Sequence, residues 1–302
     1  MASRVLITGG SGLLGLNWAH ELRNTHEVTL GVHNRTVSMS GVAVERFSLE
    51  SVDSLLGALD QVGPDCVVHA AGLTSVEDCE ESPYLAHHVN VELAENVAIA
   101  CARRGVKLAH ISTDHVFGGD GQLFAEDACI KPLNTYGKTK AEAETRVQHA
   151  CPEALVIRTN FYGWGPAYRQ SFSDWVLSNL MRGQQLTLFS DVFYSPIISS
   201  RLVSVVHELF ERSAAGLFHV VGDERISKHD FGLQLASVFG LDASLISAGS
   251  IDAKPTLVMR PHDMSLSNRK VSETLNISIG GVREHLLMLQ QQSKLSEELQ
   301  TI

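Results

Sequence analysis

"RVLITGGSGLLG", residues 4–15, sets an apolar run against a cluster of glycines. Arg4 to Thr8 reads as a short buried strand, and Leu14, Trp18 and Leu22 then recur at helical spacing. Gly9, Gly10 and Gly12 lie between the two, and Gly15 falls in the first turn of the helix. Read as Gly10-x-Gly12-x-x-Gly15, the turn matches the dinucleotide fingerprint. Glycines there permit a tight turn and a close backbone approach to a pyrophosphate, and the last lets the helix pack on the strand. The N–H groups of the helix start then face the phosphate charge.

The pattern continues outward from that turn. "EVTLGV", "DCVVHAAG" (65–72), "VKLAHIS" (106–112) and "EALVIRT" (153–159) read as further strands. "LAENVAIACARRG" and residues 136–150 read as helices between them. Strand and helix in alternation imply parallel strands joined by right-handed crossovers. The expected fold is a doubly wound parallel α/β sheet covered on both faces. Residues 1–160 form its cofactor-binding part, with a returning segment near 195–222. Residues 161–194 and 223–302 are expected to form a smaller substrate lobe. The C-terminal "VREHLLMLQQQSKLSEELQ" reads as an amphipathic packing helix followed by a fraying polar tail.

Composition excludes several classes. A net charge of -10 disfavours nucleic-acid binding, which needs clustered Lys and Arg. The five cysteines are odd in number, scattered and without C-x-x-C, so they read as small buried thiols in a reducing compartment. No H-E-x-x-H occurs among the fourteen histidines, and no metal site is expected. His87-His88 reads as a helix surface. "MASRVLITGG" lacks a signal-peptide pattern, and no run of about 18 apolar residues suggests a membrane span, so the expected compartment is the cytoplasm.

An acidic residue about 20 positions after the glycine turn normally holds the ribose 2′-hydroxyl of NAD. No Asp or Glu occurs between Val28 and Val42; His33, Asn34 and Arg35 stand there instead. A guanidinium pairs with a 2′-phosphate in bidentate fashion, so the expected cofactor is NADP(H).

"LNTYGKTK" (133–140) holds two competing chemistries. Gly137-Lys138-Thr139 is the tail of a phosphate-binding P-loop, but Pro132 stands where the first glycine belongs. That reading is rejected. Tyr136 and Lys140 are spaced i, i+4 and share one helix face. A free phenol has a pKa of about 10, and a nearby ammonium lowers it. The pair is a sensible acid/base unit just after Ser112-Thr113-Asp114, at the expected C-terminal end of a strand.

"TGGSGLLG", "HAAG" (69–72), Asn90 in "VNVELAENV", "ISTDHVF" and "YGKTK" together resemble the extended short-chain dehydrogenase/reductases. Within that superfamily the chain is most similar to the dTDP-4-dehydrorhamnose reductase group, through "FAEDACIKPLNTYGKTK" and, more loosely, "RTNFYGWG" and "RPHDMSLSNRK". The resemblance implies an NADPH-dependent reductase of a nucleotide-linked 4-keto-6-deoxy sugar, and a homodimer. It implies that Tyr136 donates a proton to the carbonyl oxygen and that Thr113 hydrogen-bonds that oxygen. Lys140 would hold the nicotinamide ribose and lower the Tyr136 pKa. Gly9, Ser11, Gly12, Leu13 and Leu14 would lie along the pyrophosphate, and Ala70, Ala71 and Gly72 would line the groove. Asn90 supports the active-site network or is a satisfied buried asparagine. Arg260 contacts a diphosphate or anchors the fold.

The chain also departs from that group. His115 follows Asp114 where dehydratases carry a second carboxylate and where the reductases carry tyrosine, and Gly118 replaces an acidic residue. Asp114 and His115 are the expected substrate neighbours. Two further readings stay open. One is a non-catalytic NADP-binding subunit similar to the regulatory β-subunit of methionine adenosyltransferase. The other is a sugar-nucleotide epimerase, against which the missing acidic residue after the second strand argues.

Overall fold

In the computed structural model, which describes residues 3–254 and 256–302, seven parallel strands form one sheet. They are β1 (Arg4–Thr8), β2 (Glu27–Val32), β3 (Ala43–Arg46), β4 (Cys66–His69), β5 (Lys107–Thr113), β6 (Leu155–Thr159) and β7 (Gly216–His219). Their order is β7-β6-β5-β4-β1-β2-β3. Thr8 of β1 therefore pairs with Gly31 on one side and His69 on the other. The chain winds outward from β1 to β3, then crosses back to the other side of β1. Such a reversal opens a crevice at the C-terminal ends of the central strands. The run 65–72 contributes only Cys66–His69 to the sheet, because Ala70 to Gly72 leave it to line that crevice. The stretch 217–222 does return to the sheet, with Gly216–His219 beside β6.

The labelled helices are α1 (Leu13–Leu22), α2 (Val52–Val62), α3 (Leu93–Arg104), α4 (Thr135–Ala150), α5 (Phe172–Met181), α6 (Ser199–Glu211), α7 (Lys228–Phe239), α8 (Val282–Gln291) and α9 (Ser293–Leu299). Successive strand residues point to opposite faces, and both faces are apolar. Val5 and Ile7 pack with Trp18 of α1 and with Leu202 and Val206 of α6. Leu6 packs with Leu55 of α2, Val97 of α3 and Val147 of α4. Each large side chain buried this way stabilises the fold by about 1.5–3 kcal/mol. A third cluster joins Tyr162, Leu177, Phe231, Leu235, Leu286 and Leu289, from α5, α7, α8 and the short strand Phe161–Tyr162. No helix among the described residues is long and apolar enough to cross a membrane.

Two expectations need correction. The polar C-terminal tail does not fray: it forms α9, whose Leu295 and Leu299 are buried in the α1 side of the core. Glu298 of α9 also accepts hydrogen bonds from Arg23 at 2.5 and 2.9 Å. The polar spacing hid two apolar residues four apart, enough for one helical stripe. The cysteines are all free, but only Cys66, Cys79, Cys101 and Cys151 are buried; Cys129 is exposed in the loop before α4. His87 and His88 lie on a helix surface as expected, paired with Glu142, Glu50 and Glu92.

Candidate functional site

The glycine turn lies between the exits of β1 and β4. Gly9 has φ +70°, and a Cβ there would meet the Ala71 backbone nitrogen at 2.7 Å. Only glycine fits a left-handed position with so close a neighbour. α1 begins straight after it, at Leu13, with Gly12 as N-cap. No side chain caps that helix, and its first turn holds no acidic residue. The free N–H groups, the positive end of the helix and the wall of Ala70, Ala71 and Gly72 fit a pyrophosphate. At the exit of β2, His33, Asn34 and Arg35 are exposed and no carboxylate follows the strand before Glu45.

α4 brings the phenol and the lysine to the crevice. Asn134 caps it, accepting from Gly137 N at 2.9 Å, and its amide donates to the Met259 carbonyl at 2.9 Å. The α4 start lies hard against the β5 exit, and a Cβ on Gly137 would collide with the His115 carbonyl. That contact explains the glycine between Tyr136 and Lys140.

Tyr136, Lys140, Thr113, Asp114, His115, Asn90 and Gly72 all line one groove of about 220 Å³, together with Leu14 and Ala71. Burial is the largest influence on Tyr136 and pushes its hydroxyl up to about 12; a hydrogen bond with Thr113 pulls it back in part. Thr113 Oγ1 also donates to Asp114 Oδ1 at 3.1 Å and accepts from His115 N at 3.2 Å. The Lys140 ammonium sits deeper, donating to the Ile111 carbonyl at 2.7 Å and meeting His110 Nε2 at 3.2 Å. Burial brings its pKa down to about 8. Lys140 is not among the groups that move the phenol, so the expected lowering of the Tyr136 pKa by its ammonium is not borne out. One helical turn puts both residues on the same face, but it also carries the ammonium below the hydroxyl, onto β5.

Asn90 is buried and fully used. Its Oδ1 accepts from Leu73 N at 2.8 Å, and its Nδ2 donates to Leu73 O and Thr139 Oγ1 at 3.0 and 3.1 Å. It clamps the loop after β4 and borders the groove as well. It belongs to a single π-helical turn, His88–Glu92, a local widening often found at functional sites.

A second cavity of about 420 Å³ shares His115 and Asn160 with the groove. Its walls include Phe172, Trp175 and Phe189, and two cations enter it, Arg260 and Lys228. Arg260 is paired with Glu77, Nη2 to Oε1 at 2.6 Å, so it is both a cavity residue and a tie between distant segments. Lys228, at the start of α7, lies 3.4 Å from the Tyr194 ring centroid and 4.7 Å from that of Phe172. Its ammonium has no hydrogen-bond or ion-pair partner among the described residues, and burial brings its pKa down to about 8 against the pull of Asp114. His115 packs edge-on to Tyr136, with centroids 5.5 Å apart. Burial keeps its imidazole below the usual range, and its Nδ1 is buried without a partner among the described residues. Asp114 Oδ2 accepts from Asn160 at 2.6 Å.

Lys228 and Asn160 were not singled out from the sequence. "ISKHDF" carries no motif around Lys228, and nothing inside "RTNFYGWG" sets Asn160 apart by residue pattern. The position of Asn160 at the end of a strand was the available signal, because ligands gather at that sheet edge.

The family model described as the RmlD substrate binding domain matches residues 3–294. The chain is 28% identical over 288 residues to a probable low-salt glycan biosynthesis reductase of Haloferax volcanii, covering 94% of this chain and 96% of that protein. It is 27% identical to the dTDP-4-dehydrorhamnose reductase of Aggregatibacter actinomycetemcomitans, over 91% of this chain and 94% of that one. Among solved structures, a dTDP-4-dehydrorhamnose reductase of Bacillus anthracis in complex with NADP aligns with a TM-score of 0.83, covering 97% of this chain and 100% of that chain. Its identity is 22%, so the likeness is one of fold. With a match across nearly the whole chain and a site built where that family model lies, the protein belongs to the RmlD substrate binding domain family.

Proposed function

We propose that this chain is an NADPH-dependent reductase of a nucleotide-linked 4-keto-6-deoxy sugar, of the dTDP-4-dehydrorhamnose type. The observation that carries the reading is the position of Tyr136 and Thr113. They border a glycine-headed groove that shares His115 and Asn160 with an aromatic-walled cavity. One space suits a dinucleotide and the adjoining one a nucleotide sugar; about 420 Å³ is within the usual size of a ligand pocket.

Bound NADPH supplies the hydride. Tyr136, with its hydroxyl held near 12, stays protonated at neutral pH and keeps a proton ready at Oη. As the keto carbon gains hydride, the carbonyl π pair moves to oxygen, and that oxygen takes the Tyr136 proton. Thr113 Oγ1 holds the same oxygen in place by turning its single proton from Asp114 Oδ1 to the carbonyl. Lys140, itself fixed by Ile111 and His110, would hold the cofactor ribose. Lys228 and Arg260 meet the polar and anionic parts of the nucleotide sugar, while Phe172, Trp175 and Phe189 cover its apolar faces.

We further propose a division of the chain along these lines. Residues 1–160 and the returning strand hold the cofactor, and residues 161–194 and 223–302 hold the sugar, apart from α9, which packs back on the α1 side of the core, and the segment around Tyr168 and Arg169, which reaches Ser11 and Thr74. The separate apolar cluster around Phe231 and Leu286 supports that division.

The test is NADPH oxidation against a panel of 4-keto-6-deoxy sugars on dTDP and UDP. Turnover with one of them is expected, and it is lost in Tyr136→Phe. Tight NADPH binding without turnover on any sugar, together with a co-purifying enzyme, would establish the non-catalytic subunit reading instead.

A further inference from the structure

The segment after β6 crosses the cofactor groove as a strap. Its turn is closed by Arg169 N donating to the Pro166 carbonyl at 2.9 Å. Tyr168 Oη donates to the Ser11 carbonyl at 2.7 Å, inside the glycine turn. Arg169 hydrogen-bonds Thr74, on the loop after β4. The Trp164 carbonyl accepts from Asn17 of α1 at 2.7 Å. On the outer side, the Arg35 guanidinium carbon lies 3.7 Å from the centroid of the Tyr168 ring. The strap thus ties the first turn, the β2 exit and the β4 exit together.

Arg35 has no hydrogen-bond or ion-pair partner among the described residues; the Tyr168 ring is what holds it. Stacking fixes the plane of a guanidinium and leaves its donor edge free for a bidentate anion. An unstacked, exposed arginine would lose its side-chain freedom only on meeting the ligand, at a cost in affinity. The donor edge stands where an NAD-type site keeps its carboxylate.

We infer that Tyr168 is a positioning residue for cofactor choice: its ring presents Arg35 to the 2′-phosphate of NADPH while its hydroxyl closes the strap on Ser11. The inference rests on the reading of Arg35 as the 2′-phosphate contact. The two functions of Tyr168 separate cleanly. The hydroxyl serves the pyrophosphate turn, which NADPH and NADH share; the ring serves a group that only NADPH carries.

Calorimetric titration of NADPH and NADH into wild type, Tyr168→Phe, Tyr168→Ala, Arg35→Ala and the Arg35→Ala/Tyr168→Ala double variant tests it. Tyr168→Phe keeps the ring and should keep the NADPH/NADH affinity ratio. Tyr168→Ala should lower that ratio roughly three- to fivefold, the size an exposed cation–π contact supports. In the Arg35→Ala background it should lower the ratio no further. If Arg35→Ala leaves the ratio unchanged, the 2′-phosphate reading fails and this inference with it. If Arg35→Ala collapses the ratio but Tyr168→Ala leaves it intact, or the two losses simply add, this inference alone is overturned. Should Tyr168→Ala not fold, Tyr168→Leu takes its place with the same expected outcomes.

Discussion

Glu144 and Arg158 form a buried, two-pronged ion pair that fastens α4 to the sheet. Arg158 Nε and Nη2 donate to Glu144 Oε1 and Oε2 at 2.9 and 2.7 Å, and Ser112 Oγ adds a third bond at 2.5 Å. Glu144 lies one turn beyond Lys140, so the pair also sets the depth at which Tyr136 and Lys140 meet β5. Removing one member leaves a buried charge without its partner, which costs about 3–5 kcal/mol. Arg158→Met should lose that much in denaturant unfolding. Glu144→Leu/Arg158→Met should lose markedly less, because an apolar pair strands no charge. Equal losses in the two variants would mean that packing, not charge, fastens the helix.

Tyr136→Phe removes the proposed proton donor and little else. The ring keeps its edge-on contact with His115, and the groove keeps its shape. Reductase turnover should fall by about 10²-fold or more, the scale of a lost general acid. NADPH affinity, read by titration, should stay within about twofold, since ring packing is unchanged. Wild-type turnover in this variant would refute the assigned donor.

Much of this was legible in the sequence because it is local. The strand runs, the glycine turn and the Tyr136/Lys140 spacing each depend on residues a few positions apart. Contacts between distant segments were not legible. Nothing in "KLSEELQ" announces that Glu298 meets Arg23, which lies 275 positions away. Tyr168 reaches Ser11 across 157 positions, and Arg260 reaches Glu77 across 183. The depth of Lys140 was hidden for the same reason, because helix periodicity gives a side chain's direction but not which strand atoms it will meet.

Lys140 makes stability depend on pH in a definite window. Its pKa is about 8 in the folded protein, below the ordinary value of 10.5 that the unfolded chain keeps. Between those values the unfolded chain binds a proton that the folded one has released, so stability rises with pH. The cost of the buried charge is fully present below about 8 and is relieved as pH climbs toward 10.5. Wild type should therefore gain unfolding free energy relative to Lys140→Met from pH 7.5 to pH 9.5. Denaturant titrations of both proteins across that range are the check, and a constant difference would mean that the ammonium is better solvated than its surroundings imply.

Lys228 is the sharpest test of the substrate side. Its ammonium stands over the Tyr194 ring in a mostly apolar cavity, and no carboxylate within ion-pair distance neutralises it among the described residues. A desolvated cation left this way gains most when an anion or a sugar oxygen arrives. Lys228→Met keeps the stem on the aromatic rings and removes the charge. The KM for the keto-sugar should rise about tenfold or more, matching the loss of one hydrogen bond to a charged group. Affinity for NADPH should not change, because Lys228 lines the 420 Å³ cavity and not the groove. An unchanged sugar KM would remove Lys228 from the binding site and leave Arg260 as the cation that faces the substrate. A parallel loss of NADPH affinity would show instead that the two spaces are coupled through Asp114, which lines the groove and attracts the Lys228 charge.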